Sequence, residues 1–153
     1  MLYRSKPPNQ HRWNGLGGKI QLNETPWACV QREVMEEAGI DLQVAQCLRF
    51  AGIVTWAAGI DPTSPGIGMY AFIAELPPGW ATWEGDYTTP EGLLCWKPIS
   101  WACDPQNTTV VDNIPHFLPG MLTRQVPHEY YCDYQDGRLA NVIIRPCEMM
   151  AWI

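Results

Sequence analysis

The sequence predicts an α+β fold in which a β-sheet is sandwiched between helices. Apolar, β-rich segments alternate along the chain with two or three helical patterns, and an Asp-Gly pair joins the last two segments into a hairpin. The 153 residues, 46% of them apolar, are enough to bury a real core. We therefore expect one domain over residues 1–153.

A helix over residues 26–38 is the element that the sequence defines best. Thr25 is a favourable N-cap, Pro26 suits the first helical position, and Gly39 is a natural stop. The apolar residues of one face, which are expected to pack against a sheet, are Val30, Val34 and Ala38.

The same helix carries three carboxylates on one face, because Glu33, Glu36 and Glu37 stand at positions i, i+3 and i+4. Crowded carboxylates repel unless a cation neutralises them, and Mg²⁺ or Mn²⁺ prefers such oxygen ligands and also binds phosphate. The alternative is a solvated acidic face. The residues in register around the three glutamates, which favour a metal–phosphate site, are Gly18, Glu24, Arg32 and Gly39.

The remaining elements follow from apolar patterns and turn residues. Strands are expected at residues 1–4, 42–49, 50–56, 67–76 (a core strand), 91–98, 128–134 and 138–145, a helical turn at 99–103, a helix at 110–123, and loops at 57–66 and 77–89. The first strand is expected to be shortened, missing or supplied by another subunit, unless the start codon is misassigned. An unpaired sheet edge at that point predicts a homodimer.

Composition excludes several classes of protein. The net charge of −6 and the pI near 4.9 argue against binding of a nucleic-acid polymer. The sequence contains neither an apolar run of membrane-span length nor a signal peptide, so no membrane association is expected. Six scattered cysteines predict a cytoplasmic chain with reduced thiols.

The motif from Gly18 to Ile40 matches the signature of the Nudix hydrolases at every fixed position, and the chain resembles that family over about residues 2–145. The resemblance implies an α/β/α sandwich with a mixed β-sheet. A second match, Glu91 to Trp96, resembles the family's late glutamate before a Cys-Trp pair. The resemblance thus implies one to three Mg²⁺ or Mn²⁺ ions held by the Gly18 carbonyl, Glu33, Glu36, Glu37 and Glu91.

The resemblance also implies catalytic roles. Either Glu33 or Glu91 would act as general base, and the sequence does not choose between them. Arg32 and Glu24 are expected to orient the catalytic helix, by pairing with each other or with a ligand carboxylate. A non-catalytic Nudix-like module for nucleotide sensing or interaction is the alternative, although such modules typically lose a signature glutamate and this chain keeps all of them.

The run from Trp13 to Lys19 is similar to that of the MutT-like hydrolases of oxidised purine nucleoside triphosphates. This implies cleavage of a purine triphosphate, with 8-oxo-dGTP as a candidate, to the monophosphate and pyrophosphate, which would sanitise the nucleotide pool. The residues implied in substrate binding are Asn14, Lys19, Asp112, Asn113 and Phe117, the last as a stacking face.

The chain departs from the MutT-like pattern where that pattern holds the base. Asn113 stands where a second carboxylate is expected, and Val110 and Val111 stand where a tryptophan is expected, so the resemblance leaves the exact base open. Structural alternatives exist as well: Asn14 as a turn residue and Asp112 as a helix N-cap. The residues more often found in a core than on a stacking platform are Trp13, Trp96 and Trp101.

Overall fold

The computed structural model describes residues 1–57, 67–80 and 85–147. The elements in chain order are β1 (Leu2–Arg4), β2 (Trp13–Asn14), α1 (Pro26–Ala38), a 3₁₀ turn (Leu42–Val44), β3 (Cys47–Trp56), β4 (Ile67–Glu75), β5 (Tyr87–Thr89), β6 (Gly92–Leu94), α2 (Ile99–Ala102), α3 (Ile114–Thr123), β7 (His128–Gln135) and β8 (Arg138–Pro146). None of the described helices is long and apolar enough to cross a membrane.

The strands form two four-stranded sheets. The first has the order β2-β1-β6-β5, and its described pairs are antiparallel. The second has the order β4-β3-β7-β8 and is mixed, because β3 and β7 run parallel. The predicted α+β class with a mixed sheet is therefore confirmed.

Strand β1 is short, as expected, but it does not form a sheet edge. It pairs with β2 on one side and β6 on the other, and its Leu2 is fully buried. The expectation of an unpaired edge at this point was wrong. The homodimer stays a prediction, without support from β1.

Helix α1 has the predicted boundaries. Thr25 Oγ1 accepts a hydrogen bond from the Ala28 amide at 3.1 Å. At the other end Gly39, at φ +66°, donates its amide to the Met35 carbonyl at 2.9 Å. The buried residues that join α1 and the chain after it to the first sheet are Leu2, Val34, Ala38, Ile40, Leu42 and Leu94. This packing sets the face on which the glutamates lie.

Several strand predictions need correction. The two strands predicted at 42–49 and 50–56 are in fact a 3₁₀ turn followed by one strand, β3. Asp41 caps the turn by accepting a 2.9 Å hydrogen bond from the Gln43 amide, and β3 therefore begins only at Cys47. Strand β4 has no fully buried residue and lies at the end of its sheet, so it is not a core strand. The segment predicted as a loop at 77–89 ends in β5, and the strand predicted at 91–98 spans only Gly92–Leu94. Of the loop predicted at 57–66, only Ala57 lies within the described residues.

The late helix is shorter than predicted, because residues 110 and 111 are extended. Val110 bridges to Trp13, and α3 begins only at Ile114, with Pro115 in its first turn and Pro119 inside it. The second core, between α3 and the mixed sheet, consists of Ala51, Val54, Val110, Val111, Ile114, Phe117, Met121, Tyr130 and Cys132.

The terminal hairpin is confirmed. Asp136 and Gly137 have φ values of +49° and +73°, as a two-residue turn of type I′ requires, and they join Gln135 to its partner Arg138. The interpretation of the tryptophans as core residues holds in part. Trp13 and Trp101 pack against the second core, whereas Trp96 is 49% exposed.

Candidate active site

Arg32 is the centre of an ion-pair network on α1. Its Nε and Nη2 atoms lie 2.7 and 3.0 Å from the two carboxylate oxygens of Glu24, a bidentate pair. Its Nη1 atom donates to Oε1 of Glu33 at 2.7 Å and to Oε2 of Glu36 at 3.0 Å. One guanidinium therefore orients three carboxylates. Both predicted arrangements of Arg32 occur, because it pairs with Glu24 and also with the predicted ligand carboxylates Glu33 and Glu36.

The pair of Glu24 and Arg32 is firmly ionised. The bond from Arg32, and a second from the Gln21 amide at 2.8 Å, lower the pKa of Glu24 to about 2. The carboxylates in turn raise the pKa of Arg32. Arg32 Nη2 also reaches the carbonyl of Lys19 at 3.3 Å, so the network fixes the chain between Lys19 and Glu24 to the helix.

The glycine loop before α1 lies directly against the carboxylates. The Gly17 amide donates to Oε2 of Glu37 at 2.9 Å. A Cβ atom at Gly18 would overlap the carboxylate of Glu33, so a larger residue there would displace that carboxylate. The predicted metal ligands Gly18, Glu33 and Glu37 are thus neighbours.

Electrostatics link the helix to Glu91. Burial raises the pKa of Glu37, the Gly17 amide opposes this rise, and the charges of Glu33 and Glu91 add to it. The carboxylates of Glu33, Glu37 and Glu91 therefore act on one another. The site concentrates negative charge in a partly buried place.

Glu91 lies in the turn between β5 and β6, not in a strand. Its carbonyl accepts hydrogen bonds from the amide and the hydroxyl of Ser5, at 2.9 and 3.0 Å. Its side chain, 40% exposed, lies 3.4 Å from Lys6 Nζ. Because both partners are exposed, this ion pair is weak and easily exchanged.

The donor set fits a hard divalent cation in its chemistry. Among residues 1–57, 67–80 and 85–147, no three acidic, histidine or cysteine side chains already converge on one point. However, each contact described above between a cluster glutamate and Arg32, Gly17 or Lys6 uses one carboxylate oxygen, and a carboxylate can bind a metal through its other oxygen. The groups that would hold the cation are Glu33, Glu36, Glu37, Glu91 and the carbonyl of Gly18.

Two of the predicted base-binding residues, Asn14 and Asp112, flank one backbone contact at the start of the same loop. The Val111 amide donates to the Trp13 carbonyl at 3.0 Å, so Asn14 and Asp112 each follow this pair by one residue. Asn14 Oδ1 accepts from the amide of the next residue, Gly15, at 2.9 Å. The alternative interpretation of Asp112 as a helix N-cap was wrong, because the N-cap position of α3 is Asn113. Asp112 instead accepts a hydrogen bond from the Tyr134 hydroxyl.

The other predicted substrate residues differ in exposure. Asn113 is buried, with 7% exposure, and Lys19 is exposed. Phe117 is 7% exposed, and its ring centroid lies 6.4 Å from that of Tyr130 in the second core. This burial argues against a stacking role for Phe117.

Sequence reasoning missed three residues near the site. Arg4 lowers the pKa of Glu37, Lys6 pairs with Glu91, and Tyr134 bonds to Asp112. The chain order gives no signal for these contacts, because Lys6 and Glu91 are 85 residues apart and Asp112 and Tyr134 are 22 apart. They depend on how the two sheets and the terminal hairpin are assembled.

A family model described as NUDIX domain matches residues 1–119. The chain belongs to the Nudix family. This membership supports a hydrolase that acts on a pyrophosphate bond in a nucleoside diphosphate derivative. The terminal hairpin, with Tyr134, lies beyond the matched residues.

Proposed function

We propose that the chain is a Mg²⁺- or Mn²⁺-dependent pyrophosphohydrolase that cleaves a purine nucleoside triphosphate to the monophosphate and pyrophosphate. Oxidised guanine nucleotides such as 8-oxo-dGTP are the candidate substrates, and sanitising of the nucleotide pool in the cytoplasm is the proposed role. The observation that carries the proposal is the close approach of the glycine loop to Glu37 and Glu33, through the Gly17 amide and the backbone of Gly18.

The acidic cluster and an anionic triphosphate repel one another, so their association needs a bridging cation. A bound divalent ion supplies charge neutralisation, polarises phosphorus and lowers the pKa of a coordinated water. Glu33, Glu36, Glu37, Glu91 and the Gly18 carbonyl are the proposed ligands. Arg32 keeps Glu33 and Glu36 in place, since it bonds to both.

The reaction adds water across one anhydride bond. The water oxygen forms a new bond to phosphorus, the bridging oxygen between the α- and β-phosphates leaves with one of the two products, and the water proton passes to a carboxylate. Glu33 and Glu91 are the two candidates for this general base. Glu33 is 15% exposed and bonded to Arg32, whereas Glu91 is 40% exposed and loosely paired with Lys6.

The base end of the site supports a purine. Asn14 and Asp112 each follow by one residue the backbone bond between Trp13 and Val111, and Asn14 lies at the start of the loop that leads to Gly17 and Gly18. This loop thus joins the proposed base-binding residues to the proposed phosphate-binding residues over four positions. Amide and carboxylate groups match the donor and acceptor edge of a purine.

A panel of purine and pyrimidine triphosphates tests the proposal through pyrophosphate release with Mg²⁺ and with excess EDTA. We expect metal-dependent turnover with higher kcat/KM for purines. Asn14→Ala should lower kcat/KM for the preferred purine, by a loss of about 1–3 kcal/mol in transition-state stabilisation, and should leave kcat/KM for pyrimidines unchanged. If no triphosphate is cleaved, the proposal fails and the non-catalytic alternative is favoured. Equal slowing of every substrate by Asn14→Ala would show that Asn14 only shapes the loop.

A further inference from the structure

A hydrogen bond between the Tyr134 hydroxyl and Asp112 joins the terminal hairpin to the proposed base site. The hydroxyl donates to Oδ1 of Asp112 at 2.9 Å. Tyr134 lies near the end of β7, and Asp112 lies in the turn that precedes α3. A residue from outside the Nudix-matched part of the chain therefore holds a carboxylate that the proposed function places against the base.

The surroundings of this bond keep both partners in place. Val111, just before Asp112, and Cys132, two residues before Tyr134, are buried in the second core with 7% and 1% exposure. Asn113, also 7% exposed, lies between the Cys132 thiol and the Tyr134 hydroxyl and lowers the pKa of each. The orientation of Asp112 is thus set by packed neighbours on both sides.

Tyr134 acts as the hydrogen donor in this pair. Burial raises the pKa of the Tyr134 hydroxyl, and the bond to Asp112 raises it further, so the hydroxyl keeps its hydrogen at neutral pH. A carboxylate that receives this hydrogen offers acceptor oxygens to a ligand. Tyr134 itself is 37% exposed, so the pair borders solvent where a ligand can arrive.

An acceptor held in this way discriminates between the two purine edges. Guanine, oxidised or not, presents N–H donors at N1 and at its 2-amino group. Adenine presents one donor, its 6-amino group, beside an acceptor at N1, which would face a carboxylate oxygen without a hydrogen between them. Two acceptors held against each other without a hydrogen lose more binding free energy than a matched donor and acceptor gain.

We propose that Tyr134 is a positioning residue that, through Asp112, makes the enzyme select guanine-type over adenine-type nucleoside triphosphates. This inference rests on the proposed function and specifies its substrate class.

The test compares kcat/KM for a guanine and an adenine triphosphate, with Mg²⁺, in the wild type, Tyr134→Phe and Tyr131→Phe. Tyr131 lies on the same strand against Arg145 and is the matched control. We expect a guanine preference in the wild type and in Tyr131→Phe. Tyr134→Phe should narrow the guanine-to-adenine ratio by about two- to tenfold, through KM for guanine.

A second variant guards against a change in folding. Asp112→Asn keeps an acceptor for Tyr134 but adds an N–H donor, so it should also narrow the ratio. If the guanine-to-adenine ratio of kcat/KM is unchanged in both variants, even with an equal loss of activity on both substrates, the inference is overturned. The bond would then only stabilise the packing of β7 against the segment before α3. Cleavage of both purines at equal rates by the wild type overturns the inference too, while the proposed function stands. If the wild type cleaves no triphosphate, the proposed function fails first.

Discussion

The backbone of Gly18 lies directly against the carboxylate of Glu33, and this contact leads to a sharp test at the scale of one residue. Gly18→Ala should displace Glu33 from Arg32 and lower kcat by about 100-fold, the cost of a misplacement of about 1 Å at a reacting centre. The measurement is the rate of pyrophosphate release at saturating substrate.

Gly15→Ala is the matched control for Gly18→Ala. A Cβ at Gly15 meets no atom within 4 Å, and the Gly15 amide that bonds to Asn14 is retained in alanine. Equal activity of the two variants would contradict the proposed role of the Gly18 approach.

The pair of Glu24 and Arg32 predicts how stability depends on pH. The pKa of Glu24 falls from 4.5 to about 2 in the folded chain, so its contribution to stability is complete above about 4.5 and is lost as the pH falls towards 2. Glu24→Gln should be less stable than the wild type at neutral pH. The difference in the free energy of unfolding, measured in urea, should shrink as the pH falls through this window. A difference independent of pH would refute the ionic role of Glu24.

Single residues of the site were predictable to different degrees. The placement of Glu33, Glu37 and Arg32 could be predicted because they lie within one or two turns of one helix, where spacing fixes which side chains are neighbours. The placement of Tyr134 and Lys6 could not be predicted, because their partners lie on other elements and the register that joins them is a property of the assembled sheets.

At the scale of elements, helix α1 is the scaffold of the site, and its start can be tested. Thr25→Ala removes the bond to the Ala28 amide and should lower the free energy of unfolding by about 1 kcal/mol. Thr25→Ser keeps an acceptor oxygen and should lose little. The measurement is denaturant unfolding, with kcat as a second readout. An unstable serine variant would show that the methyl group of Thr25, not the cap, is what matters.

The strands show where sequence patterns stop being informative. The terminal hairpin was predicted because its Asp-Gly turn needs the local φ values that it has. The 3₁₀ turn at Leu42–Val44 was missed, since the side-chain cap of Asp41 outweighs the β-propensity of the residues after it. The start of α3 was misplaced because Val110 and Val111 are held extended by Trp13, a contact between residues almost a hundred positions apart.

At the scale of the whole molecule, the two sheets bring three distant segments to one place. The glycine loop and α1 come from the first quarter of the chain, Glu91 from the β5–β6 turn, and Asp112 from the segment before α3. The negative charge there destabilises ionised Glu37, because burial and the repulsion by Glu33 and Glu91 raise its pKa. The proposed divalent cation would stabilise the folded chain by binding there.

The central claim is that this carboxylate cluster, with a divalent cation, hydrolyses a triphosphate, and Glu37→Gln tests it most directly. The amide oxygen of glutamine can still accept from Gly17, so the fold should persist, while one metal ligand is weakened. The control is Glu75→Gln, on exposed β4. The measurement is pyrophosphate release from a purine triphosphate, together with the shift of Tm that Mg²⁺ produces.

We expect full activity and a Mg²⁺-dependent rise of Tm in the wild type and in Glu75→Gln. For Glu37→Gln we expect a loss of about 3 kcal/mol in transition-state stabilisation, or about 100-fold in kcat, and a smaller rise of Tm. Undiminished turnover by Glu37→Gln, or by the wild type in excess EDTA, would contradict the central claim.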